Sequence, residues 1–143
     1  MTTGIPTGRG YILDAHHGLA KSQPDLKASA ESTSGQLTVI TLSIDGGPPR
    51  HTHTREDESI YLLAGRLAVE CDGQEFAATP GSFVYLPRGR PHTFRSIGGT
   101  ARGLLIITPA GLENYFAALH AAATGPDSSQ VRTVMAEYGI SPA

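Results

Sequence analysis

Paired glycines and prolines interrupt the chain at short intervals, and they restrict the fold more than any other feature of the sequence. The interruptions are Gly46-Gly47-Pro48-Pro49, Asp72-Gly73, Pro80-Gly81 and Gly98-Gly99. Asp72-Gly73 is a strong hairpin signal, because both central residues of a type I′ turn need a positive φ angle. With 17 glycines and 10 prolines in 143 residues, this punctuation predicts many short strands joined by turns, as in a β-sandwich or a β-barrel.

Alternating residue patterns locate the strands between these turns. Residues 36–45 (QLTVITLSID) are rich in β-branched residues and alternate along the chain, which favours a strand over a helix. We expect further strands at residues 59–64, 67–71, 74–78, 82–86, 92–97 and 101–108, and weaker ones at residues 11–13 and 26–33. Together they predict a barrel over about residues 10–108.

The hydrophobic period changes after Pro109. A spacing of three and four residues predicts a helix whose apolar face carries Leu112, Tyr115, Phe116, Leu119 and Ala123. Gly125-Pro126 should end this helix, and Asp127 or Ser128 can cap a second one. The second helix would carry Val131, Val134, Met135 and Tyr138. We therefore expect one domain over residues 1–143, with a helical tail at residues 111–139.

Composition excludes several classes of function. A net charge of −2 and a pI near 6.3 provide no basic surface for nucleic acid. No apolar run reaches the roughly 18–20 residues that span a bilayer, and the start of the chain lacks the apolar segment of a signal peptide. Cys71 is the single cysteine, so it forms no internal disulfide, and we expect it to be an inert small side chain. A cytoplasmic protein is the expectation.

Three histidines and one glutamate stand beside predicted strand ends. His51 and His53 would point to the same face of an extended segment. Glu58 follows after an odd step, so residues 54–57 must bend if its side chain is to return to that face. His92 follows a proline-bounded turn. Three neutral imidazoles and one carboxylate suit a divalent transition metal (Fe, Mn, Ni, Cu or Zn) better than Ca²⁺ or Mg²⁺.

Other interpretations of the same residues remain open. A His-x-His pair is by itself more often a surface feature than a metal site. Residues 55–57 are expected to form a solvated turn, although Asp57 is a rival to Glu58 as the carboxylate ligand. The remaining histidines are expected not to bind metal: His16, His17 and His120.

Two segments resemble the paired motifs of the cupin family. Residues 51–65, HTHTREDESIYLLAG, are similar to the first motif, which reads HxH, three or four residues, Glu, six residues, Gly. Residues 81–96, GSFVYLPRGRPHTFRS, are similar to the second motif, with its Gly, Pro, Gly and His in place. The sequence departs from the family at Asp45, where a glycine is usual, and at Ser96, where asparagine is common.

The resemblance implies an all-β fold, a cupin double-stranded β-helix (jelly-roll) barrel with two short C-terminal helices. It also implies that one metal ion binds to His51, His53, Glu58 and His92. Within the family, the amino-acid sequence of the two motifs and of the C-terminal tail most resembles that of the quercetin-dioxygenase-like single-domain cupins. Cupins also include lyases, isomerases, cyclases and non-catalytic binding proteins, so the fold does not decide the activity.

The expected activity is that of a dioxygenase acting on a small organic substrate with an enol or aromatic, flavonol-like character. Glu58 could then serve as general base. The apolar strand faces would supply the substrate pocket, expected at Ile60, Leu62, Phe83, Tyr85, Phe94, Ser96 and Ile106. Phe94 and Ser96 should share a face with His92 and lie nearest the metal. The resemblance also implies a homodimer, for which residues 26–33 could provide an edge-pairing strand.

Overall fold

Two antiparallel sheets of five strands form the framework in the computed structural model, which describes residues 4–124 and 129–143. The strands are β1 (Leu26–Ala28), β2 (Thr38–Ile44), β3 (His51–His53), β4 (Asp57–Ala64), β5 (Leu67–Cys71), β6 (Gln74–Ala78), β7 (Phe83–Leu86), β8 (His92–Ser96), β9 (Ala101–Thr108) and β10 (Ile140–Pro142). One sheet has the order β1-β2-β9-β4-β7 and the other β10-β3-β8-β5-β6. Two helices, α1 (Leu112–Thr124) and α2 (Ser129–Glu137), follow β9. The predicted jelly-roll fold with C-terminal helices is confirmed.

The strands form where the sequence alternates, because one face of each sheet is buried. In β4 the side chains of Glu58, Ile60 and Leu62 are buried, whereas their neighbours are more exposed. The turn between β5 and β6 has positive φ at Asp72 and Gly73 (54° and 81°), as the hairpin signal predicts. Side chains from both sheets meet in one core that includes Leu67, Val69, Leu86 and Ile107 among its most buried members.

Several strand predictions are confirmed to the residue, and others need correction. The predicted segments 67–71, 74–78 and 101–108 are β5, β6 and β9. Residues 11–13 form no strand, and of residues 26–33 only three residues pair, so the barrel strands begin at Leu26. The predicted helix end at Gly125-Pro126 and the caps at Asp127 and Ser128 lie outside the described residues.

The tail ends in a strand that the sequence did not predict. β10 pairs antiparallel with β3, so that Ile140 lies opposite His53 and Pro142 opposite His51. Three residues containing a proline give no alternation signal, and proline is tolerated because β10 is an edge strand. The tail therefore returns to the strand that carries two of the predicted metal ligands.

The helices cover one part of the barrel through apolar side chains. Those in or against the core are Leu112, Tyr115, Phe116 and Leu119 of α1, Val134 and Met135 of α2, and Tyr138 just after α2. Glu113, in the first turn of α1, accepts hydrogen bonds from the backbone N–H of Ala30 at 2.8 Å and of Gly111 at 3.0 Å, and also binds the Thr38 hydroxyl. This carboxylate fixes the start of the helical tail to the barrel.

An exposed strand edge and exposed aromatic side chains concern the homodimer that is expected from the sequence. β1 lies at the edge of its sheet, next to β2 alone, and its pairing with a second chain stays a prediction. Tyr61, Phe83 and Tyr85 are exposed on neighbouring strands of the same sheet. Among the described residues, neither helix has the length and hydropathy that crossing a bilayer requires.

Candidate metal centre

Four side chains from three strands converge inside the barrel. His51 and His53 lie on β3, Glu58 on β4 and His92 on β8. Each offers one ligand atom, and these atoms all lie within 4.8 Å of one another. His51 and His92 are direct partners in the β3–β8 pairing, whereas Glu58 comes from the other sheet. The two sheets thus deliver nitrogen and oxygen donors to one point.

The local backbone explains why these side chains meet. β3 is extended, so His51 and His53 point to the same side, as their spacing predicts. The chain then leaves the strand at residues 54–56 and starts again at Asp57, which supplies the predicted bend. The turn before His92 is tied to β3, because the Gly89 N–H donates to the His53 carbonyl at 2.7 Å.

Asp57, the rival carboxylate, points away from the cluster. Its Oδ1 accepts hydrogen bonds from the Arg88 backbone N–H at 2.8 Å and from Arg88 Nε at 3.1 Å. These bonds hold the pKa of Asp57 below its ordinary value. Neighbouring residues on a strand face opposite sides, so an outward Asp57 places Glu58 inward.

Hydrogen bonds on the far side of two imidazoles fix which nitrogen faces the centre. His51 Nδ1 lies 2.7 Å from the Pro49 carbonyl, and His92 Nδ1 lies 3.3 Å from the Arg90 carbonyl. A carbonyl oxygen only accepts, so each Nδ1 carries a proton, and in the neutral ring Nε2 keeps a free lone pair that a metal ion can use. Metal-binding histidines usually show this arrangement.

The inward-facing atoms fit a cation between them. Glu58 Oε2 lies 3.1 Å from His92 Nε2, and Glu58 Oε1 lies 3.4 Å from His53 Nε2. With the proton of His92 on Nδ1, its Nε2 lone pair faces a carboxylate oxygen. Two electron-rich atoms repel at this distance unless a proton or a metal ion lies between them. The donor set, three imidazoles and one carboxylate, is that of a transition-metal site.

Burial and neighbouring charges set the protonation states that a metal site needs. Burial lowers the pKa of His51, and the nearby imidazoles of His92 and His53 lower it further, which favours the neutral ring. Burial tends to raise the pKa of Glu58, but positive charge on the facing imidazoles, including a proton on His92 Nε2 that donates to Glu58 Oε2, leaves it below its ordinary value. A neutral imidazole and an ionised carboxylate are both metal-binding forms.

A cavity of about 510 Å³ opens beside the donor atoms of His51, His53 and Glu58. Its wall is mainly apolar and is built from the barrel and the tail. The barrel side chains are Leu42, Ile44, Phe94 and Leu105, and those of the tail are Tyr115, Phe116, Leu119, Ala123, Val131, Met135, Ile140 and Pro142. Pro48, Pro49 and Arg50 complete the lining before β3. This size lies within the range of about 300–1,000 Å³ that is typical of small-molecule sites.

The cavity differs from the pocket expected from the sequence. Phe94 lines it, as expected. Phe83 and Tyr85 do not, because they stand on the outer face of β7 and are 63% and 54% exposed. Leu86, which shares the strand, is buried instead. The apolar pattern predicted a pocket wall, but the alternation along β7 directs these two rings outward.

The other expected wall residues are also absent from the lining. Ile60 and Leu62 point inward but are fully buried in the core, which leaves no surface for a ligand. Ile106 follows the buried Leu105 on β9 and faces the opposite side. Ser96 shares a face with His92, but its hydroxyl accepts a hydrogen bond from the Gly46 N–H at 2.7 Å and closes a loop.

Sequence reasoning missed two residues of the site. Glu56 was expected in a solvated turn, but the structure buries it beside His53. Tyr115 was expected only as part of an apolar helix face, yet it lines the cavity with the ligands. No spacing rule signals either residue, since both depend on how the tail packs against the barrel. His16, His17 and His120 lie outside the four-residue group.

Comparisons with known proteins agree with this geometry. Residues 38–113 match the family described as Cupin domain. Quercetin 2,3-dioxygenase of Bacillus subtilis is 27% identical over 124 residues, which are 82% of this chain and 37% of that protein. The tetracenomycin polyketide synthase protein TcmJ of Streptomyces glaucescens is 30% identical over 83 residues, 57% of this chain and 56% of that protein. The chain thus spans about a third of the length of the first relative and just over half of the length of the second.

A solved structure supports the fold. The structure of KdgF from Halomonas sp. superposes with a TM-score of 0.55 at 20% identity, covering 62% of this chain and 81% of that one. At this identity the likeness concerns the fold alone. The family match covers more than half of the 143 residues. All four donor residues lie inside it. The chain therefore belongs to the cupin domain family.

Proposed function

We propose that the protein is a metal-dependent dioxygenase that acts on a small, mostly apolar molecule bearing an enol or phenol oxygen. One observation carries this proposal: His51, His53 and Glu58, three of the four grouped donors, line an apolar cavity of about 510 Å³. His51, His53, Glu58 and His92 would hold the ion. When bound, a redox-active ion supplies Lewis acidity toward a substrate oxygen and electron exchange with dioxygen.

Glu58 has a second role beside its place in the donor group. Its carboxylate is buried, lines the cavity, and remains ionised because its pKa is lowered in the imidazole cluster. A carboxylate in this position can accept the hydroxyl proton of an enol or phenol that enters the cavity. The substrate would then present an anionic oxygen to the centre.

Tyr115 can orient the substrate from the part of the wall that α1 provides. Burial raises the pKa of its phenol, and the negative charge of Glu58 raises it further, so the hydroxyl keeps its proton. The ring lines the cavity together with Phe116. A protonated phenol among apolar side chains can donate one directed hydrogen bond, while the surrounding wall excludes water.

The names of the relatives agree with an aromatic substrate class. One is a quercetin dioxygenase and another is a polyketide synthase protein. A flat aromatic molecule with an enol or phenol oxygen matches a cavity whose wall is mainly apolar and carries aromatic rings at Phe94, Tyr115 and Phe116. Flavonols are therefore the first compounds to try.

Oxygen consumption tests the proposal directly. Protein purified without added metal is analysed for its metal content, stripped with a chelator, and reloaded separately with Fe²⁺, Mn²⁺, Ni²⁺, Cu²⁺ or Zn²⁺. We expect oxygen uptake with a flavonol panel for at least one redox-active ion and none with Zn²⁺. A protein that binds no metal, or that leaves every panel compound and oxygen unchanged, would contradict the proposal.

A non-redox reaction is the second candidate, favoured by the likeness to a polyketide synthase protein. In that case the ion would only polarise a carbonyl, and Glu58 would move the proton. The same experiment separates the two candidates, because a lyase, isomerase or cyclase converts its substrate without oxygen and with Zn²⁺ in place.

Replacing each of two adjacent carboxylates by its amide tests the role of Glu58. We expect Glu58→Gln to reduce turnover by about 10²–10⁴-fold, the usual contribution of a general base. Asp57→Asn is the matched control, since Asp57 faces outward and binds Arg88. Turnover is measured at saturating metal, and circular dichroism checks the fold. A larger loss in Asp57→Asn than in Glu58→Gln would show that the wrong carboxylate has been assigned.

A further inference from the structure

The three imidazoles of the centre differ in what their outer nitrogens contact. Nδ1 of His51 and Nδ1 of His92 each face a backbone carbonyl two residues earlier in the chain. His53 Nδ1 makes no hydrogen bond within residues 4–124 and 129–143, although the ring is only 3% exposed. A buried ring N–H without an acceptor is costly, so this nitrogen calls for a partner.

The nearest charged group to that nitrogen is the carboxylate of Glu56. Its Oε2 lies 3.9 Å from His53 Nδ1, its side chain is 9% exposed, and within the described residues this oxygen has no hydrogen-bond partner. Two buried, unpartnered atoms of complementary type therefore face each other. The gap is longer than a hydrogen bond, but a small side-chain rotation closes it.

The C-terminal tail holds Glu56 in this place. Thr54 N–H and the Thr54 hydroxyl both donate to the Gly139 carbonyl at 2.9 Å. Arg55 Nη1 donates to the Glu137 carbonyl at 2.9 Å. These bonds fasten the bend between β3 and β4 with Thr54 and Arg55 exposed, which turns Glu56 inward. A solvated turn would leave the Glu56 carboxylate in water.

We propose that Glu56 is a positioning residue whose carboxylate accepts a hydrogen bond from His53 Nδ1–H and so orients this imidazole toward the metal. The inference rests on the metal binding proposed above. A carboxylate partner fixes the ring and increases the electron density on Nε2, the atom that faces Glu58 Oε1. His53 thereby differs from His51 and His92, which have neutral carbonyl partners.

Metal affinity is the first test, and it needs no substrate. Dissociation constants for Zn²⁺ and Co²⁺ are measured by competition with a chelator at fixed pH. Loss of an outer partner of a ligating histidine typically costs about 10–100-fold in affinity, and we expect such a loss for Glu56→Ala. Glu56→Gln retains an acceptor oxygen without the charge and should fall between Glu56→Ala and the unmodified protein. Glu75→Gln, on the exposed strand β6, is the matched control and should remain unchanged.

The proton on His53 Nδ1 gives a second readout that a merely structural role would not move. In the Zn²⁺-loaded, ¹⁵N-labelled protein we expect a slowly exchanging Nδ1–H signal for His53. Glu56→Gln should shift this signal and Glu56→Ala should abolish it, while the signals of His51 and His92 persist. If Glu56→Ala fails to fold, the isosteric Glu56→Gln carries the test.

The possible failures are distinguishable. Unchanged metal affinity together with an unchanged His53 signal in Glu56→Gln would overturn the role of Glu56 and leave the proposed function standing. Failure of the unmodified protein to bind Zn²⁺ or Co²⁺ would overturn both.

Discussion

The donor group and the cavity wall meet at one place but are built in different ways. The donors come from short barrel strands, and strand register sets their positions, as in the pairing of His51 with His92. Much of the wall comes from α1, α2 and β10, whose apolar side chains pack across the barrel. The contrast teaches that the candidate metal ligands and much of the cavity wall lie in separate parts of the chain.

The two regions also differ in how much change they should tolerate. His53, Glu58 and His92 are nearly inaccessible, and the Glu58 carboxylate lies 3.4 Å from His53 Nε2 and 3.1 Å from His92 Nε2. Wall residues such as Leu119 and Met135 are only partly buried. Replacing a donor should therefore abolish metal binding, whereas reshaping the wall should alter ligand binding and leave the metal in place.

Removing a donor is expected to have the largest effect. His92→Ala deletes one ligand and the partner of Glu58 Oε2. Metal affinity should fall by at least about 100-fold, the upper end of the loss seen when only an outer partner is removed. Chelator competition gives the affinity, and circular dichroism should still show the barrel. Unchanged metal content in the folded variant would refute the assignment of His92.

Filling the cavity tests the other side of the comparison. Leu119→Trp places a larger side chain in the wall and should weaken flavonol binding by about 10-fold, because an apolar ligand loses room and contacts. Ala117→Trp, at an exposed position of the same helix, is the matched control. Titration calorimetry on the Zn²⁺-loaded variants measures binding. We expect metal affinity within about twofold of the unmodified protein, and a large loss of metal in Leu119→Trp would show that wall and donors are not separable.

The same division explains what could be predicted from the sequence. The donor group depends on spacing, alternation and turn residues, which are local properties. The side chains of His51, His53, Glu58 and His92 accordingly meet as predicted. Strands such as β5, β6 and β9 also have the predicted bounds, because strong alternation between turns leaves little freedom of register.

The wall depends on how distant segments pack, and most of the side chains expected from the sequence do not line the cavity beside the donors. Phe83 and Tyr85 have strand-forming aromatic side chains, but a shift of one residue along a strand decides whether a ring faces the interior or the solvent. Residues 140–142 show no pattern and become a strand only by pairing with β3. Glu56 is polar in a polar segment, yet it is buried next to the point where the tail binds Thr54 and Arg55.

The smallest effect is expected at the contact between Gly139 of the tail and Thr54 of the barrel. It tests whether the donor group and the tail are independent of each other. Gly139 has a φ of +73°, and an added Cβ would lie 2.5 Å from Thr54 Oγ1. Gly98 has a φ of +72° with open space around it, so Gly98→Ala measures the backbone strain alone. We expect Gly139→Ala to lower the free energy of unfolding by about 1 kcal/mol more than Gly98→Ala does, within the usual range for local strain. Urea unfolding measures both. Metal affinity should fall a few-fold in Gly139→Ala, because the bend that carries Glu56 is displaced. Equal affinities in the two variants would show that the contact between Gly139 and Thr54 does not influence the donors.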